Sequence, residues 1–190
     1  MPAFEPESHT FRSARPSEWV ARFARLLPDG ASVLDFACGS GRNLGPFAQR
    51  GARIVAADRD PAALAALPVE AERVEADLEA DPWPFAARRF DAVVCCNFLH
   101  RPRLGLLFGL VAPGGLIIYE TFARGNERYG KPSNPAFLLA PGELLSAAAH
   151  NGFEVLAYEH GFTGGGRPAI VQRLCAARPP FDPERCAPVG

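Results

Sequence analysis

Three observations predict an α/β fold, a doubly wound and mostly parallel sheet of about seven strands finished by an antiparallel hairpin. Short apolar runs alternate with helix-compatible stretches from Val33 onward. One run, Phe90-Asp91-Ala92-Val93-Val94-Cys95-Cys96-Asn97, is nearly all apolar, as a strand covered on both faces of a parallel sheet must be. The last two runs, Phe153 to His160 and Ala169 to Ala177, are joined by a Gly-rich connection that suits a hairpin.

The elements follow in order. The polar, Pro-containing stretch Met1 to Arg15 lacks an apolar signal-like core. Ser17 can cap a helix over about 17–27, in which Trp19, Phe23, Leu26 and Leu27 share one face. Trp19 there is read as core in preference to a cover over a ligand. Val33 to Asn43 spells a strand, a tight turn and a helix start; the helix continues from Leu44 to Arg50 and stops at Gly51. Arg53 to Asp58 is a second buried strand. Asp60-Pro61 caps a short helix to Leu67, and Arg73 to Leu78 is a third strand. A rigid connector, Asp81 to Phe85, precedes the fourth strand. Leu104 to Val111 is a short helix, Ala112-Pro113-Gly114-Gly115 a turn, and Leu116 to Thr121 a fifth strand. From Phe122 to Leu139 no periodicity survives, and a loop of that length inside a compact domain points to a lid or binding loop. A helix over Glu143 to His150 ends at Asn151-Gly152. One domain over 1–177 and a Pro-rich, extended or disordered tail over 178–190 complete the expected organisation.

Composition narrows the function classes. The formal net charge of -1 offers no global basic field for nucleic acid or an acidic membrane, and of the 20 basic residues only Lys131 is lysine. No stretch approaches the ~18 uninterrupted apolar residues of a membrane span. The five cysteines, Cys38, Cys95, Cys96, Cys175 and Cys186, form no C-x-x-C pair and have no His partner at zinc-like spacing. No metal site is expected, and an odd number of thiols fits a reducing, cytoplasmic setting.

The chemistry concentrates in Val-Leu-Asp-Phe-Ala-Cys-Gly-Ser-Gly-Arg-Asn, residues 33–43. Glycines at a strand-to-helix turn let a ligand approach the main chain, and the helix start offers free N–H groups. A dinucleotide fingerprint read from Gly39 requires glycine at 44, where Leu44 stands. Asp35 just before the turn would repel a pyrophosphate but suits a ligand that carries an ammonium group. Asp58 lies 17 positions after Gly41, near the ~20-residue interval at which such sites place an acid on ribose hydroxyls.

With these residues in view, Asp35-x-Ala37-Cys38-Gly39-Ser40-Gly41 resembles the nucleotide-binding motif of class I S-adenosylmethionine-dependent methyltransferases, with Ala37 where the first glycine usually stands. The Pro-Gly-Gly before the fifth strand and the strand-helix alternation extend the resemblance over about 28–177. It implies a Rossmann-like sheet and a cofactor site built from Asp35, Ala37, Cys38, Gly39, Ser40, Gly41, Asp58 and Arg59. It further implies that Asp77 receives the adenine amino group, with Leu78 beside the ring and Asn97 and Phe98 at the end of the fourth strand. More distantly, Tyr119-Glu120-Thr121-Phe122, Gly130-Lys131-Pro132, Phe137-Leu138-Leu139 and Pro141-Gly142-Glu143-Leu144 are similar to bacterial small-molecule methyltransferases of the tellurite-resistance and thiopurine-like type.

These implications lead to S-adenosylmethionine as cofactor and a small molecule as methyl acceptor. Where the acceptor must lose a proton, His100 is the candidate base, because imidazole titrates near neutrality and this one follows the fourth strand; Tyr129 is a second candidate. Methylation of RNA or protein is the alternative within enzymes. After the fourth strand, however, Asn97-Phe98-Leu99-His100 lacks the two prolines of amino-methylating nucleic-acid enzymes, and neither Cys95 nor Cys96 follows a proline as a cytosine-attacking cysteine does. Both are read as small core residues, as is Cys38. A non-catalytic cofactor-binding module and a nicotinamide oxidoreductase remain the readings from other classes.

Overall fold

The computed structural model describes residues 15–164 and 167–186. Its seven strands are β1 (Ser32–Phe36), β2 (Arg53–Asp58), β3 (Glu72–Glu75), β4 (Phe90–Cys96), β5 (Val111–Phe122), β6 (Glu154–Thr163) and β7 (Ala169–Ala177). They form one sheet in the order β3-β2-β1-β4-β5-β7-β6. The first five are parallel, and β7 joins antiparallel to both β5 and β6. The expected sheet, with its closing hairpin, is therefore present.

Alternation along the strands divides the core in two. Leu34, Phe36, Val55, Ala57, Val93, Cys95, Ile117 and Tyr119 point to the face covered by α4 (Leu104–Gly109) and α5 (Glu143–His150). Val33, Ile54, Ala56, Val94, Cys96, Leu116 and Ile118 point to the other face, under α1 (Glu18–Ala24), α2 (Gly45–Ala48) and α3 (Pro61–Ala65). Trp19 is core: it is 3% exposed and its Nε1 donates to the Leu174 carbonyl at 3.2 Å.

Several boundaries differ from the sequence expectation. α2 is one turn long, because Gly45 and Pro46 are poor helix residues and the flanking bonds run three residues back, Leu44 N–H to Gly41 O and Phe47 N–H to Leu44 O. The Ala112 to Gly115 turn is instead a bulged extension of β5. Phe90 pairs with Val111 and Ala92 with Leu116, while Gly114 N–H and Gly115 O bond to Arg178 across the sheet.

Within the described residues the tail is tied down, not extended. Pro183–Arg185 forms a 3-10 turn, and the Arg185 guanidinium donates to the Leu26 carbonyl at 2.7 Å and to the Gly114 carbonyl at 3.0 Å. The N-terminal stretch 1–14 and the last four positions, 187–190, lie outside the described residues.

The segment after β5 is likewise stapled, although it shows no periodicity. Two 3-10 turns, Asn126–Arg128 and Pro135–Phe137, interrupt it. Buried Asn126 donates to Pro132 O and accepts from Ile170 N–H. Arg101 forms a bidentate pair with Glu143 at 2.6 and 2.9 Å and also donates to the carbonyls of Ala136 and Leu138. Side-chain bonds across long sequence separations hold this loop, which is why no local pattern announces it.

Candidate functional site

The chain leaves β1 for β2 and β3 on one side and returns to β4 on the other, so the carboxyl ends of β1 and β4 border a topological switch point, where open α/β sheets bind ligands. A cavity of about 190 Å³ opens there. Ala37 from the glycine turn, Asp58 and Arg59 from the end of β2, Asp77 and Leu78 after β3, and Phe98 after β4 line it, together with Glu79. Six residues anticipated from four separate sequence segments thus converge.

Asp58 does two things at once. Its Oδ2 accepts the Gly39 N–H at 2.7 Å and its Oδ1 accepts the Asp60 N–H at 3.0 Å, so the carboxylate latches the glycine turn to the end of β2 while still facing the cavity. Gly39 has φ +52°, and a Cβ there would meet nothing within 4 Å, which leaves open space beside the turn.

Gly41 differs from the sequence reading. It is buried at φ +74°, and a Cβ would lie 2.7 Å from Leu67 Cδ2 and 2.8 Å from Leu44 Cδ1. It makes room for the protein's own side chains and not for a ligand. Ala37 adopts φ +57°, a left-handed conformation that glycine would take without strain. Cys38 is buried in the core on the α1–α3 face, and Ser40 is half-buried in the turn; neither lines the cavity.

Asp35 sits one turn of the chain before this cavity, on the sheet face covered by α1–α3. It is 1% exposed, and its Oδ2 has no hydrogen-bond partner. Burial pushes its carboxyl from 3.8 up to about 7; the Arg42 guanidinium opposes this and the Asp58 carboxylate adds to it. A buried, unpartnered carboxylate of this kind is complementary to a cation. The same face carries Glu120, buried, with its Oε2 2.6 Å from Arg173 Nε and accepting the Ser17 hydroxyl at 3.1 Å.

A second cavity of about 270 Å³ adjoins the first and shares Glu79 and Phe98 with it. Leu99, Phe122, Pro132 and Phe137 give it apolar walls, and Asn97 and Thr121 supply polar atoms. Asn97, expected on the cofactor, borders this second cavity instead, because its φ of +57° turns the chain at the end of β4. The loop after β5 does contribute to it, through Pro132 and Phe137.

His100 borders neither cavity. It is half-buried, with Nδ1 4.0 Å from Oε1 of Glu79, which lines both cavities. Tyr129 is not brought to the site either. It is 42% exposed and packs on Phe162 with ring centroids 5.2 Å apart. Cys95 and Cys96 are buried, and burial pushes the Cys95 thiol up to about 12, which suits core residues and not nucleophiles.

Sequence reasoning missed three contributors. Glu79 belongs to the acid-rich run Glu75 to Asp81, in which nothing distinguishes it locally. Tyr119, fully buried, donates its hydroxyl to the Phe98 carbonyl at 2.7 Å and so holds the residue that both cavities share. Arg101 holds the wall that carries Phe137. A larger depression of about 770 Å³ lies at the opposite, amino ends of β1, β2 and β4, between residues such as Arg53, Glu72 and Arg88; it faces away from the glycine turn.

Fold and site together define an α/β domain with a cavity at the carboxyl ends of its seven-stranded sheet. The chain belongs to the family described as "Methyltransferase domain", which matches residues 8–163. A ubiquinone biosynthesis O-methyltransferase from Pseudomonas fluorescens (strain SBW25) is 32% identical over 125 residues, covering 58% of this chain and 52% of that protein. The chain therefore spans about half the length of this curated relative. Among solved structures, TehB from Haemophilus influenzae superposes with a TM-score of 0.68 at 19% identity, over 84% of this chain and 61% of TehB. Magnesium protoporphyrin IX methyltransferase from Synechocystis PCC 6803, with bound SAM, gives 0.60 at 19% identity over 84% and 74% of the two chains. At these identities the structures establish the shared fold. No helix among the described residues is long and apolar enough to cross a membrane.

Proposed function

We propose that this protein is an S-adenosylmethionine-dependent methyltransferase that methylates a small molecule. The observation that carries the proposal is the Asp35 carboxylate, buried and with Oδ2 unpartnered, two residues before Ala37, which lines the first of two adjoining cavities. The donor set fits the cofactor. Asp35 would pair with its ammonium group, Gly39 and Ala37 would lie against it, and Asp58 and Arg59 would meet the ribose. Asp77 would receive the adenine amino group, with Leu78 and Phe98 against the ring. Gly41, Cys38 and Ser40 keep the turn in shape.

When bound, the cofactor supplies an electrophilic methyl group on a sulfonium. An acceptor with a lone pair would receive that methyl group, and where its attacking atom carries a proton, a side chain of this chain would have to take that proton up. Much of what the protein contributes is alignment and exclusion of water. The second cavity is the acceptor's place, with Asn97, Phe98 and Phe137 orienting it. His100 acts through Glu79 as the proton acceptor.

The net charge of -1 and the small, apolar second cavity support a small acceptor over RNA or protein. The five free thiols suit a cytoplasmic location. Calorimetric titration with S-adenosylmethionine, S-adenosylhomocysteine and NAD tests the proposal. Micromolar binding of the first two and none of NAD is expected; binding of NAD alone would refute it. Methyl transfer to any acceptor excludes a non-catalytic module. His100→Ala is expected to lower turnover while cofactor affinity stays within about threefold, and unchanged turnover would remove His100 from catalysis.

A further inference from the structure

The second cavity has a chemical character that narrows the acceptor, an inference that rests on the function proposed above. Three phenylalanines, Phe98, Phe122 and Phe137, together with Leu99 and Pro132, present flat apolar walls. Such walls favour a planar ring, because aromatic faces and edges pack on one another over a large area without polar partners. At about 270 Å³ the space falls just below the ~300–1,000 Å³ usual for drug-sized ligands, which suits one ring or two fused rings.

Charge supplies the other half of the argument. Among the described residues, Glu79 is the one charged residue on the wall. The neighbouring loop contains Arg124, Arg128 and Lys131, but all three are exposed and none lines the cavity. Arg101 and Arg103, just after β4, are engaged elsewhere, with Glu143 and Asp81. An anion placed there would therefore meet a carboxylate and apolar rings, with no cation among the described residues of the wall to offset the loss of water. A hydroxyl or amine, by contrast, donates a hydrogen bond to the Glu79 carboxylate, a charge-assisted and hence comparatively strong contact.

We propose that the cavity between Phe98, Phe122 and Phe137 accepts an uncharged, flat aromatic molecule that presents an O–H or N–H to Glu79, and that it rejects oxyanions. Glu79 is thus the specificity-determining residue. The wall's carboxylate disfavours oxyanions even though the fold is shared with TehB.

Shape-matched probes that differ in charge test this. The full chain is first saturated with S-adenosylhomocysteine and then titrated calorimetrically with 2-naphthol, 6-aminoquinoline, 2-naphthoate and tellurite. The expected result is binding of the naphthol or the aminoquinoline at least tenfold tighter than naphthoate, with no binding of tellurite. Glu79→Gln should shrink the naphthol-to-naphthoate preference to within about threefold. Phe137→Ala should weaken the naphthol and the aminoquinoline about tenfold while leaving S-adenosylhomocysteine binding intact.

Naphthoate or tellurite binding as tightly as naphthol in the unaltered protein would overturn the proposal, as would a preference that survives Glu79→Gln. Should S-adenosylhomocysteine bind and none of the probes, this inference fails while the cofactor assignment stands. Absence of S-adenosylhomocysteine binding would overturn the proposed function and this inference with it. The comparison on the unaltered protein decides the matter even if a variant does not fold.

Discussion

Asp35→Asn is expected to make the free protein more stable and to weaken cofactor binding at least tenfold. The carboxyl is 1% exposed, and burial lifts it from 3.8 to about 7. Between those two pH values the folded chain holds a proton that the unfolded chain has released, so stability falls as pH rises through the window and levels off above it. At 1.36 kcal/mol per pH unit, ionised Asp35 costs the folded chain ~4 kcal/mol at pH 8.

The asparagine carries no charge and removes that penalty. Urea unfolding of both proteins from pH 4 to pH 8 is the assay. The variant should match the parent near pH 4 and exceed it by up to ~4 kcal/mol at pH 8. S-adenosylmethionine should bind the parent with proton release near pH 6, because its ammonium favours the ionised carboxylate, and should bind the variant at least tenfold more weakly. Parallel pH profiles for the two proteins would show that Asp35 is not the strained group and would refute the reasoning.

The remaining predictions concern the turn, the ribose site and the loop clamp. Asp58→Ala should weaken cofactor binding more than tenfold in calorimetry, since it removes both the ribose acceptor and the latch on Gly39; unchanged affinity in a folded variant would exclude Asp58. Gly41→Ala should cost about 2–4 kcal/mol in urea unfolding, because a Cβ would collide with Leu44 and Leu67 at a left-handed φ. Gly39→Ala, with open space around it, should cost only about 1 kcal/mol yet reduce cofactor affinity; equal stability losses at the two glycines would contradict their different roles. Arg101→Ala should raise the acceptor KM several-fold, with cofactor affinity unchanged, because it frees the turn that carries Phe137. A loss confined to cofactor binding would assign Arg101 elsewhere.

Much of the fold was legible because local pattern and buried position coincide. β2 runs over Arg53–Asp58 and α5 over Glu143–His150, as their composition and flanking residues indicate, and the nearly continuous apolar runs of β1 and β4 reflect two cores pressed on the two sheet faces. Boundaries failed where long-range bonding overrode local chemistry. Gly114 and Gly115 read as a turn, yet bonds to Arg178 keep them in β5; the Pro-rich tail reads as loose, yet Arg185 reaches two backbone carbonyls far away in sequence.

The sequence by itself determined the sheet, the glycine turn and the carboxylates Asp35, Asp58 and Asp77, because each is announced by its neighbours along the chain. Only the tertiary structure decided what those residues face. It turned Gly41 inward and left open space at Gly39, placed Asn97 on the second cavity and not the first, set Glu79 4.0 Å from His100, and made Tyr119 and Arg101 supports of the second cavity's wall. The physical reason is that a strand-to-helix motif encodes itself within a dozen residues. A cavity wall, in contrast, is assembled from side chains of β5 and of the loops that follow β3, β4 and β5, and its charge and shape exist only once the sheet has brought those segments together.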